Sequence, residues 1–79
     1  MKYHYNVALD NVRPSEFTGM LLRTLNERKD LGFLVETTAD ENVFLVTVMT
    51  ENGSGEFYVD SNEDEKSIQK SIEFSLKGV

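Results

Sequence analysis

Fourteen carboxylates, one histidine and no cysteine are the side chains with which this 79-residue chain could do chemistry. Without a thiol, cysteine nucleophiles and thiolate zinc sets are excluded, and His4 alone cannot build a histidine-rich metal site. On an alternating strand His4 is expected on the polar face. The many Ser and Asp residues allow a Ser-His-Asp set on paper, but no nucleophile elbow positions one. Gly53 and Gly55 lie in a turn rather than ahead of a helix, so they do not form a phosphate loop. Two-carboxylate acid–base catalysis needs a selected pair, and nothing in the spacing selects one. The expectation is therefore a protein that is not an enzyme and takes no cofactor.

Carboxylates could also hold calcium. Asp60, Asn62 and Asp64 stand at positions one, three and five of an EF-hand loop. The pattern then fails, because Glu65 occupies the place of the required glycine and Ser71 that of the bidentate glutamate. No metal site is expected.

What remains is the charge itself. The net charge is −6, and it is unevenly spread. Residues 1–30 carry five basic and four acidic groups, residues 31–79 three basic and ten acidic. From Glu36 to Glu65 there are nine carboxylates and no Lys or Arg. Such a field repels phosphate backbones and anionic membranes and attracts cationic surfaces. Direct nucleic-acid and membrane binding are disfavoured, and a basic protein surface is the expected partner.

The elements that must position these charges are readable from periodicity. Tyr3, Tyr5, Val7 and Leu9 alternate with polar or small residues, which predicts a strand with those four on its buried face, broken from Asp10 onward. Phe17, Met20, Leu21 and Leu25 form a helical stripe, predicting a helix over 14–30. Pro14 or Ser15 would start it, Arg28 and Lys29 would sit in its last turn, and Gly32 would stop it. Gly19 inside that helix suggests close packing on the sheet. Residues 33–38 and 43–50 read as strands joined by the turn 39–42, and 51–55 carries an Asn-Gly hairpin signal leading into a short strand, 56–59. A last helix follows, capped by Ser61 or Asn62, with Ile68, Ile72 and Leu76 at four-residue spacing. Because Ile72, Phe74 and Leu76 also alternate, a C-terminal strand in a ferredoxin-like arrangement is the alternative.

The fold class is thus α+β: a single domain, 1–79, with a mostly antiparallel sheet of about four strands and two helices on one face. In a meander, alternate turns share an end, so the 39–42 turn and the 60–65 junction should lie together. Asp40, Glu41, Asp60, Glu63, Asp64 and Glu65 would then cluster as a partner-binding edge, or be only hydrated turn and helix-start acids. The strands 33–36 and 43–49 are apolar on both sides, so Leu34, Val43, Leu45 and Met49 should be partly exposed on an uncovered face. Two functions follow. One is an acidic inhibitor, mimicking a phosphate array, that occludes a nucleic-acid-binding surface of another protein. The other is an assembly module that forms a homodimer through the sheet face. The lack of cysteine, and an opening segment with no long apolar run, point to the cytoplasm.

Overall fold

The computed structural model describes residues 7–77. Its elements run β1 (Val7–Asp10), α1 (Glu16–Asn26), β2 (Gly32–Thr37), β3 (Val43–Thr50), β4 (Gly53–Asp60) and α2 (Glu65–Leu76). The sheet order is β1-β2-β3-β4. β2, β3 and β4 form an antiparallel meander, whereas β1 pairs with β2 in parallel. Parallel neighbours need a crossover, and α1 supplies it. The class is α+β, with a mixed sheet.

One face of the sheet carries the core. Phe33 and Val35 of β2, Phe44, Val46 and Val48 of β3, and Val59 of β4 alternate, apart from buried Gly32 at the start of β2, with partly or fully exposed neighbours. Register aligns them in rows, Phe33 beside Val48 and Val35 beside Val46, so β-branched side chains pack across strands. Leu21 and Leu25 of α1 and Ile68 and Ile72 of α2 cover these rows. Phe17 of α1 stacks on Phe44 with ring centres 5.8 Å apart.

Both helices are shorter at their starts than periodicity suggests, and for the same reason. Ser15 takes an extended backbone and its hydroxyl accepts the N–H of Thr18, while the Thr18 hydroxyl accepts the N–H of Ser15 at 2.7 Å. That reciprocal cap places Pro14 outside the helix. At the other end Glu27 is the cap, so Arg28 and Lys29 lie beyond α1 rather than in its last turn. Gly32 does not stop the helix. It opens β2, buried against Met49. Nor is Gly19 packed on the sheet: a Cβ there would meet only the Arg23 guanidinium, at 3.9 Å.

α2 begins at Asp64, not at Ser61 or Asn62, because the Asp64 carboxylate accepts the N–H of Ser67 at 2.9 Å. The segment stays helical to Leu76, which overturns the C-terminal strand and leaves Phe74 76% exposed on the outer side. β4 is longer than expected, because Thr50 pairs directly with Gly53 and the turn needs only Glu51 and Asn52. Gly53 has φ 148°, a conformation side chains rarely adopt. β1 runs through Asp10, and its Leu9, expected in the core, is 47% exposed. Register places Leu9 on the helical side beside Val35, on the edge strand of the sheet, where Val7 on the same side packs against the core and Leu9 stays half-exposed. Tyr3, Tyr5 and His4 lie outside the described residues.

Candidate functional site

The meander brings the 39–42 turn and the 60–65 junction to one end, as the alternation of turns requires. Val43 pairs with Asp60, and the N–H of Ser61 donates to the Asn42 carbonyl at 2.8 Å. Five of the six expected edge carboxylates are tied into local structure. Asp40 accepts the N–H of Asn42 and Asp60 that of Asn62, each closing a side-chain turn. Glu63 folds back to accept the N–H of Asp60 at 2.8 Å and the hydroxyl of Ser67 at 2.6 Å. Asp64 caps α2. Glu65 faces away from the turns toward α1, where it accepts the hydroxyl of buried Thr24 at 3.4 Å. Glu41 is exposed and stands beside a groove of about 500 Å³ that also receives Arg13, Asn11, Ser15, Thr38 and Ser61. The spacing of Asp60, Asn62 and Asp64 is thus used for a turn and a cap. Among the described residues no three His, Asp or Glu side chains converge to hold a metal ion.

The second surface is the sheet face opposite the helices. Alternation places Ala8 and Asp10 of β1, Leu34 and Glu36 of β2, Val43, Leu45, Thr47 and Met49 of β3, and Glu56, Tyr58 and Asp60 of β4 on it. Leu34, Val43, Leu45 and Met49 are half-buried there, and Tyr58 is 65% exposed. One row across the sheet reads Asp10, Glu36, Leu45, Tyr58, and the next Ala8, Leu34, Thr47, Glu56. Both helices lie on the other side, so among the described residues nothing covers this face. Four carboxylates therefore stand among its apolar side chains, and none of its described strand positions carries Lys or Arg.

Asp10, Glu36 and Glu56 were not among the carboxylates that sequence spacing singled out. Their signal is parity: each occupies an off-core position in its strand. Parity becomes a shared face only once the strand order is known.

The cations are elsewhere. Arg28 bridges the end of α1 to α2, bonding Asp30 at 3.2 Å and Glu73 at 2.7 Å. The hydrogen bond from Arg28 holds the Asp30 carboxyl below its ordinary pKa, and the same bond raises that of Arg28. Lys66, Lys70 and Lys77 lie exposed on α2 and its cap.

Compared with models of known families, with curated proteins and with solved structures, the chain matches none. No helix among the described residues is long and apolar enough to cross a membrane.

Proposed function

We propose that this protein is a non-enzymatic interaction module whose open sheet face receives a basic, apolar-studded protein surface. The observation that carries this reading is the composition of that face: Leu34, Leu45, Met49 and Tyr58 stand among Asp10, Glu36, Glu56 and Asp60, with no Lys or Arg among the described residues of the face. Apolar side chains left uncovered on one sheet face favour association, and fixed carboxylates around them decide with what. A symmetric face-to-face homodimer would set these carboxylates against their own copies, so the charge pattern selects against it. The adjoining acidic end, with Asp40, Glu41 and Asp64 exposed, extends the same field and steers a cationic partner toward the face. Occlusion of a nucleic-acid-binding surface in the cytoplasm is the form of inhibition that suits such a shape.

The test uses a synthetic peptide of alternating Lys and Leu as probe and records amide shifts of the labelled protein. Binding should perturb Leu34, Leu45, Met49 and Tyr58, weaken with salt, and be lost in a Glu36→Gln, Glu56→Gln variant. Perturbation confined to the 39–42 and 60–65 segments, or insensitive to both changes, refutes the sheet-face reading.

A further inference from the structure

Helix α2 presents the complement of the sheet face on the opposite side of the same molecule. At 100° per residue, Lys66, Lys70, Phe74 and Lys77 fall on one side of the helix, turned away from buried Ile68 and Ile72. Three of the chain's eight cations lie on this stripe, and none of the three forms an ion pair among the described residues. Glu73, which borders it, is neutralised by Arg28. Phe74 is the most exposed large apolar side chain described. The stripe is thus a basic, apolar-studded surface of the kind that the sheet face is built to receive.

We propose that the sheet face of one copy takes the outer face of α2 from a second copy, so that molecules stack head to tail. This inference rests on the reading of the sheet face given above and names its partner. Lys66, Lys70 and Lys77 meet Asp10, Glu36, Glu56 and Asp60, while Phe74 seats against Leu45 and Tyr58. The dimensions agree: the eleven steps from Lys66 to the cap Lys77 span about 16 Å, and Glu56 to Asp60 spans roughly 13 Å of strand. Because donor and acceptor surfaces lie on opposite sides, each added copy leaves one of each free. The assembly is heterologous and open-ended rather than a closed dimer.

Sedimentation and light scattering of the full chain across a concentration series test it. The wild type should rise steadily above its 9.0 kDa mass and fall back toward monomer as salt shortens the Debye length from about 10 Å to about 3 Å. Two variants decide the geometry: Lys66→Glu with Lys70→Glu removes the donor stripe, and Glu36→Gln with Glu56→Gln removes the acceptor face without creating a basic surface that the first variant's helix could meet. All four sites lie off the core, and dichroism checks that both variants fold. Each should be monomeric alone, and a mixture should give a one-to-one complex that grows no further, with Phe74→Ala weakening it about tenfold or more. A wild type that stays monomeric, a mass that saturates at a closed dimer, or a mixture that fails to pair overturns the proposal. If the Lys-Leu peptide still binds while the wild type stays monomeric, the sheet-face reading stands and only this partner falls.

Discussion

Asp64 and Glu41 carry the same charge at the same end of the molecule and differ in what they hold. Asp64 satisfies the Ser67 N–H, one of the donors that a helix start leaves without an internal partner. Asp64→Ala should therefore cost about 1 kcal/mol, read as a lower midpoint in urea. Glu41→Gln should stay within about 0.5 kcal/mol. The Arg28–Asp30 pair adds a pH dependence of known sign. The Asp30 pKa is depressed in the fold, chiefly by the Arg28 hydrogen bond. Its contribution is complete above the unfolded carboxylate value and lost as pH falls through the folded one. Asp30→Asn should make acid unfolding slightly less steep; the change is small because both groups are solvated. A titration of stability between neutral and acid pH, with and without the substitution, measures it. The acids at 60–65 are visible in the sequence as helix-start residues. Which of them caps is not, because Ser61, Asn62 and Asp64 have equivalent capping chemistry and the choice is made by the backbone leaving β4.

Elements were legible where apolar periodicity is long and blurred where it is short. α2 had two readings because Ile72, Phe74 and Leu76 fit both periods, and packing decides between them. As a helix the segment buries Ile68 and Ile72 together and gives up only Phe74. Ile68→Ala should cost about 2–5 kcal/mol, a large share of the stability of so small a domain, and calorimetry would read the loss directly. Gly19 tests the opposite case. It sits inside α1 with room for a methyl group, so it only weakens the helix. Gly19→Ala should raise stability by about 0.4–1 kcal/mol, seen as a higher melting temperature. A drop instead would mean that the glycine makes a close approach after all. The parallel pairing of β1 with β2 was not legible, since strand order follows from how α1 crosses the sheet and no local pattern records it.

At the scale of the whole molecule, the two faces of the sheet divide stability from recognition, and β4 places both in adjacent residues. Val59 points into the core and is fully buried; Tyr58 points the other way and is mostly exposed. The sequence shows that the strands are apolar on both sides, but the carboxylates of three strands assemble into one anionic field only through the order β1-β2-β3-β4. If the open face exists for docking, its side chains contribute to binding far more than to folding. Tyr58→Ser should then leave the melting temperature nearly unchanged, since surface changes away from structural features usually fall within about 0.5 kcal/mol. It should weaken binding of the Lys-Leu probe about tenfold, a loss of ~1.4 kcal/mol, as expected for an aromatic anchor. Val59→Ser, one residue along, should unfold much of the protein by leaving a cavity and a buried hydroxyl. Thermal melts and probe titrations of the two variants give the answer together. If Tyr58→Ser lowers stability as Val59→Ser does, the face belongs to the fold, and the partner must be sought at the acidic end around Glu41.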